Sequence, residues 1–211
     1  MAVAAPPEVD VYAACYDLGA RFWLDGPAAI RRERLPPIDP LLEALGDVEA
    51  DWPPRLEGLL WRHDSPAELE RAESTYMQSV VVPVPGRYVP PYASVHLGER
   101  TLWGASTLEM QRLYAEHGLE WRAGATRARP LAPDHLGLEL AFLAVAQSDT
   151  ETDPRLSEEQ ARSLASLLDG HLLRWVPRYL AALRAANTDP FIADWLEWLL
   201  SVARHDLERA R

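Results

Sequence analysis

Residues 132–146 read APDHLGLELAFLAVA, and this stretch decides the fold because it describes a helix that is apolar on every side. A helix of that kind is buried among other elements of the same protein. It opens, however, with a proline, an acid and an imidazole: Pro133, Asp134 and His135. A charged pair at the start of a buried helix indicates either a cap on the helix or a binding site beside it.

The rest of the chain also has helical periodicity, and strand signals are almost absent. The one β-branched run, SVVVPVPG at residues 79–86, is broken by Pro83 and Pro85. In the first half of the chain, predicted helices cover residues 9–23, 40–45 and 54–62 and the segment after Ser65. In the second half, they cover the segment after Ser106, residues 132–146, both sides of Pro177, and the chain from TDPF at 188–191 onward. These signals predict an all-α fold of eight or nine helices.

Local signals predict where several of these helices begin and bend. SPAE at 65–68 and STLE at 106–109 both have the pattern of a capping box. Tyr76 shares a helical face with Leu69, Ala72 and Val80 in the helix after Ser65. Pro177 is expected to kink or split its helix because it removes a backbone donor.

We expect one globular domain over residues 1–211, with a long proline-rich loop at its centre. This loop, residues 83–105, divides the chain into possible helical halves at 1–82 and 106–211. A loop of this length is usually functional or disordered, and the aromatic residues Tyr88, Tyr92 and Trp103 argue against disorder.

The composition excludes several kinds of function. A formal charge of −11 disfavours nucleic acid and anionic membranes as partners and favours basic ones, such as an arginine-bearing peptide. All 21 basic residues are arginine, so lysine Schiff-base chemistry and a phosphate loop with its lysine are excluded. A lone cysteine, Cys15, and the absence of a secretory signal or membrane span lead us to expect a cytoplasmic protein.

The Asp134–His135 pair has four interpretations. Asp134 could cap the helix. His135 and Glu139, four residues apart, could ligate a metal, but no further cluster supplies the remaining ligands. An acid–base pair would need a nucleophile or phosphate loop, and no such motif is present. The fourth interpretation is a pocket in which Asp134 pairs with a cationic ligand. We therefore expect no enzyme, no metal and no cofactor.

Three further segments carry a resemblance to a known family: WGASTLEMQRLYAEHGL at 103–119, PDHLGLELAFLA at 133–144 and HLLRWVPRYLAAL at 171–183. With the loop PPYASVHL at 90–97, their order and spacing resemble the TorD/DmsD family of cytoplasmic chaperones for molybdenum-containing oxidoreductases. The resemblance runs from about residue 65 to the end. Within the wider family, the Asp134–His135 pair resembles the TorD/DmsD branch more than the branch of chaperones for nitrate reductase.

The resemblance implies a dedicated chaperone that binds the twin-arginine signal peptide and the apo form of a molybdopterin oxidoreductase subunit, assists cofactor insertion and proofreads export. It implies a monomer or a domain-swapped homodimer. Carried onto this sequence, it implies a site for the signal peptide. The implied site consists of Tyr76, Pro91, Tyr92, Ser94, Gly104, Asp134 and His135.

One departure from the family pattern concerns charge. Ala93 stands where the family usually has a glutamate. If that acid contacts the arginines of the signal peptide, another must replace it here, such as Glu99, Asp134 or Glu139. Two other functions stay open: a helical protein that binds or hydrolyses GTP, and a ligand-sensing regulator, which would need a basic DNA-binding element.

Overall fold

Nine α-helices with defined ends, together with helical residues 162–167, make up most of the part of the chain that the computed structural model describes, namely residues 10–62, 65–99, 103–120, 131–148, 162–186 and 189–211. They are α1 (Val11–Asp25), α2 (Asp39–Val48), α3 (Trp52–Leu60), α4 (Pro66–Tyr76), α5 (Ala93–His96), α6 (Ala105–Glu116), α7 (Leu136–Ser148), α8 (Leu173–Ala185) and α9 (Pro190–Ala210). The β-type pairing within these residues is one isolated bridge between Tyr92 and His135. The all-α prediction is confirmed.

Most helices begin and end where local chemistry indicates. The Asp10 carboxylate accepts from the amide of Ala13 at 2.9 Å and caps α1. This helix ends at Gly26, whose φ of 85° suits a residue without a side chain. The capping box predicted for α4 is present between Ser65 and Glu68. Short 3₁₀ turns at Pro27–Ile30 and Arg32–Arg34 connect α1 to α2.

Two helices contain π-helical turns. One, Met77–Val81, extends α4 toward the central loop. The other, Leu168–Leu172, joins helical residues 162–167 to α8. Pro177 does not split α8, which runs through it from Leu173 to Ala185. The expected split at Pro177 was therefore wrong, whereas the expected kink stays a prediction.

The core joins the two predicted halves of the chain, because α1 packs along α7 and α9. Glycines permit this close approach. A side chain at Gly19 would come within about 3 Å of Leu140 and Leu199, and one at Gly137 would lie 2.7 Å from Leu24. Three tryptophans of α8 and α9 are fully buried in this core. They are Trp175, Trp195 and Trp198.

A buried polar network ties the same three helices together. Asp206 of α9 accepts from the Tyr16 hydroxyl of α1 at 2.9 Å and from the Gln147 amide of α7 at 2.6 Å. Arg209 pairs with the other Asp206 oxygen at 2.8 Å. Each buried acceptor is thus hydrogen-bonded, as a stable interior requires. None of the described helices combines the length and apolar character that would let it cross a bilayer.

Candidate functional site

The central loop is held against the start of α7 by the Asp134 carboxylate. One oxygen accepts from the amide of Ser94 at 2.9 Å, and the other accepts from the Thr107 hydroxyl at 2.9 Å. Asp134 therefore links α5, α6 and α7, which are far apart in sequence. We call Asp134 with Ser94 and Thr107 the Asp134 clamp.

Backbone hydrogen bonds reinforce the clamp from both sides. The amide of Ala93 donates to the carbonyl of Asp134 at 3.0 Å, and the amide of Leu136 donates to the carbonyl of Pro91 at 2.9 Å. The Tyr114 hydroxyl on α6 donates to the carbonyl of Pro133 at 2.7 Å. The PPY segment thus lies along the residues that precede α7, where the Tyr92–His135 bridge forms.

His135 caps its own helix. Its Nδ1 accepts from the amide of Gly137 at 3.1 Å, which assigns the proton of the neutral ring to Nε2. The ring also packs edge-on against Tyr92, with centroids 5.1 Å apart. A neutral imidazole acceptor at a helix N-terminus avoids the unfavourable interaction of a cation with the helix dipole.

The structure corrects the expectation that Asp134 lines a groove. Asp134 and His135 are both fully buried, and both Asp134 oxygens are occupied by internal donors. A buried carboxylate needs such donors, because an unpaired charge in the interior is costly. In this structure the carboxylate is consequently unavailable to a guanidinium group from outside.

The other predicted site residues fall into two groups. Pro91, Tyr92 and Ser94 lie together at the clamp and are buried. Tyr76 lies in the core beside α1, where its hydroxyl donates to the carbonyl of Trp23 at 3.0 Å. Tyr76 thus contacts the core rather than the clamp, and a role for any of these residues in peptide binding stays a prediction.

Gly104 and Glu99 shape the start of α6. A Cβ at Gly104 would lie 1.7 Å from Glu99 Oε2, so a larger residue there would displace the Glu99 carboxylate, whereas the φ of −89° at Gly104 is ordinary. The other Glu99 oxygen accepts from the Ser106 amide at 3.0 Å and from the Ser106 hydroxyl. The predicted STLE capping box was therefore wrong: α6 begins at Ala105, and Glu99 caps it.

A buried acid–histidine pair lies one turn beyond the clamp, and the sequence analysis missed it. Glu139 Oε1 is 2.8 Å from His171 Nε2, and Glu139 Oε2 accepts from the Trp175 indole at 3.1 Å. Glu139 thus pairs with His171 of the π-helical turn rather than with His135. Within the described residues, no group of three potential metal ligands comes together.

Burial and mutual attraction act in opposition on this pair. Burial raises the pKa of Glu139 above its ordinary value, although His171 lowers it in part. Burial alone would lower the pKa of His171, but the charge and hydrogen bond of Glu139 outweigh it, so the pKa of His171 lies above 6.5. The pair therefore holds its proton more tightly than an isolated histidine would.

Exposed side chains lie on α5, on α6 and immediately before α6. Trp103 and Leu108 are 57% and 60% exposed, which is unusual for large apolar side chains, and Val95 of α5 is 38% exposed. Glu109 is 54% exposed, and its carboxylate is 4.0 Å from His171 Nδ1. We call Val95, Trp103, Leu108 and Glu109 the α6 surface.

The α6 surface contains an acid that the sequence analysis did not consider. The three candidates for the missing glutamate at Ala93 were Glu99, Asp134 and Glu139. Glu99 is engaged as a helix cap, and the other two are buried. Glu109 combines exposure with apolar neighbours in sequence. The helical period of 3.6 residues places Glu109 on the outer face of α6. Only the structure shows that the other three carboxylates already have internal partners.

Comparisons with known proteins are consistent with the predicted resemblance. Residues 40–181 match the family described as "Nitrate reductase delta subunit". The chain is 34% identical over 110 residues to "Chaperone protein TorD" of Aeromonas salmonicida (strain A449), covering 49% of this chain and 44% of that protein. It is 27% identical over 166 residues to "Chaperone protein YcdY" of Escherichia coli (strain K12), covering 74% and 77%. No solved structure matches the chain.

Proposed function

Because the chain belongs to the nitrate reductase delta subunit family, which includes chaperones of the TorD type, we propose that it is a dedicated chaperone for a molybdopterin oxidoreductase. It binds the twin-arginine signal peptide and the apo form of the catalytic subunit in the cytoplasm. It assists cofactor insertion there and delays export until insertion is complete. It acts by binding, without changing any covalent bond.

The observation that carries this proposal is the α6 surface. A twin-arginine signal peptide presents two guanidinium groups followed by an apolar stretch. A receptor for it needs a carboxylate beside exposed aromatic or aliphatic side chains. Glu109 supplies the carboxylate, while Trp103 and Leu108 supply the apolar contact, and the indole also stacks against guanidinium faces.

Long-range charge supports the same partner. The formal charge of −11 attracts a cationic peptide from a distance and accelerates its association. The two arginines of the peptide gain more from this field than a neutral apolar segment does. Charge therefore favours the arginine-bearing end of the client over an arbitrary unfolded segment.

In this proposal the Asp134 clamp positions the binding surface without touching the peptide. Asp134 fixes Ser94 of α5 and Thr107 of α6, and these two helices carry Val95, Leu108 and Glu109. Binding surfaces held by rigid supports lose less entropy on association. Direct contact between the peptide and Asp134, His135 or Tyr92 stays a prediction that would require the loop to open.

A titration with synthetic peptides tests the proposal. The probe is a peptide with two adjacent arginines followed by an apolar stretch of leucine and alanine, added to the full chain in a calorimeter. We expect binding at least tenfold tighter than that of the same peptide with both arginines replaced by glutamine. Equal affinity for the two peptides, or no binding of either, would refute recognition of the arginine pair.

A variant of the chain localises the binding. Replacing Trp103, which is 57% exposed, with alanine removes contact area without opening the core. We expect Trp103→Ala to lower the affinity for the arginine peptide about fivefold or more and to leave the melting temperature unchanged. Unchanged peptide affinity in this variant would place the peptide elsewhere on the protein.

A further inference from the structure

A second surface is much less acidic than the protein as a whole. A cleft of about 620 Å³ lies between α4 and the start of α9 and is lined by Arg62, Arg71 and Arg87. Two acids, Glu68 and Asp189, also line it, so its formal charge is +1 (three positive minus two negative). The whole chain carries −11. We call this region the arginine cleft.

The two acids of the cleft are committed to helix ends. Glu68 accepts from the Ser65 hydroxyl at 2.6 Å and completes the capping box of α4. Asp189 accepts from the amide of Phe191 at 2.9 Å and caps α9. Because these carboxylates already offset the positive ends of two helices, they neutralise the nearby guanidinium groups only in part.

The three arginines reach the cleft from three separate segments. Arg62 follows α3 and is held by Asp194 at 2.7 Å. Arg87 lies in the turn after Gly86 and donates to the neutral side-chain oxygen of Gln78 at 2.5 Å, which orients it without cancelling its charge. Arg71 of α4 is exposed and takes part in no ion pair with any residue the structure describes.

Helix α4 presents polar groups between these arginines. Arg71, Thr75 and Gln78 recur at intervals of four and three residues, which places them on one helical face toward the cleft. Ser74 also borders it, and its hydroxyl accepts from the Gln78 amide at 3.1 Å. Hydroxyl donors beside guanidinium groups are typical of sites that bind oxyanions.

We propose that the arginine cleft binds a phosphate group carried by a small organic molecule. A phosphate offers several oxygens to donors that converge from different directions, and arginine matches its geometry. The cleft has the volume of a small-molecule site. A large polyanion is disfavoured, because the net charge of −11 would repel it away from the cleft. This inference does not depend on the proposed chaperone function.

Calorimetric titration of the full chain with pyrophosphate tests the proposal. We expect saturable binding at one site that weakens as sodium chloride is added. Arg71→Ala should weaken it about tenfold or more, since a charge-assisted contact to phosphate is lost. Arg71 is exposed, so the melting temperature of the variant should match that of the wild type.

Arg204→Ala is the matched control, because it removes the same charge from an exposed position on α9 outside the cleft. It should bind pyrophosphate like the wild type. Equal weakening in both variants would show a general charge effect and overturn the proposal, as would the absence of saturable binding. Succinate, a dicarboxylate of equal charge to many phosphomonoesters, should bind more weakly. Equal affinity for succinate would overturn the assignment to phosphate.

Discussion

Replacing Asp134 with asparagine tests the clamp most severely, because it changes the charge and little else. An asparagine oxygen can keep one of the two donors, either the Ser94 amide or the Thr107 hydroxyl. Its amide group then faces the other donor. One charge-assisted hydrogen bond is lost, and the second is weakened, at a fully buried position.

The expected cost follows from these contacts. A hydrogen bond to a charged group contributes about 1.5–3 kcal/mol, and an unsatisfied buried donor adds to the loss. We therefore expect Asp134→Asn to lower the free energy of unfolding by about 2–4 kcal/mol. For a chain of this size the melting temperature should fall by about 5–15 °C.

Urea denaturation measures this change directly, since the midpoint shifts while the slope stays constant. Asp169→Asn is the control: Asp169 pairs with Arg211 at the surface, where both side chains are 60% exposed, and should cost little. Thr107→Val in a double-mutant cycle should show coupling with Asp134→Asn. A loss below about 0.5 kcal/mol, or additive effects in the cycle, would refute the clamp.

Two further predictions concern Gly104 and His171. Gly104→Ala should lower the free energy of unfolding by about 1–2 kcal/mol, measured by urea titration, because its Cβ displaces the Glu99 cap of α6. Gly58→Ala, in open space on α3, should be neutral or stabilising, and equal losses in the two would contradict this account. The folded-state pKa of His171 lies above its unfolded value of about 6.5, so the pair with Glu139 stabilises the wild type fully below that pH. The wild type should therefore exceed His171→Gln in free energy of unfolding by less and less as pH rises through the folded-state pKa of His171. If this difference in free energy stays constant from about pH 5.5 to 9, the pKa of His171 is not raised.

The helices were predictable because their signals are local. The capping box at Ser65, the stop at Gly26 and the cap of Asp189 on α9 all involve residues within four positions of each other. The all-apolar stretch of α7 likewise required a buried environment. Such signals act before any tertiary contact forms, so the sequence alone carries them.

The cap of α6 could not be read in the same way. Ser106 has the pattern of an N-cap residue, yet its amide and hydroxyl both bond to Glu99, seven residues earlier. The path of the loop brings this carboxylate to the helix, and Gly104 leaves room for it. A competing tertiary partner thus overrode a valid local signal.

The proximity of several predicted site residues could be anticipated, but their burial could not. The sequence brought Tyr92, Ser94, Asp134 and His135 into one cluster, and the structure confirms that they are neighbours. The sequence does not show whether the Asp134 carboxylate binds an external cation or accepts hydrogen bonds from donors within the protein. Glu139 and His171 lie 32 positions apart in the sequence, so no local spacing predicts that they pair.

Binding of the twin-arginine peptide to a Glu109→Gln variant is the most direct test of the central claim. Glu57→Gln, which removes the same charge from an exposed position on α3, is the control. Because a guanidinium group loses its carboxylate partner, Glu109→Gln should bind the peptide about tenfold more weakly than the wild type does. Glu57→Gln should bind the peptide with unchanged affinity. Equal affinities in both variants and the wild type would contradict the claim that the α6 surface receives the arginine pair.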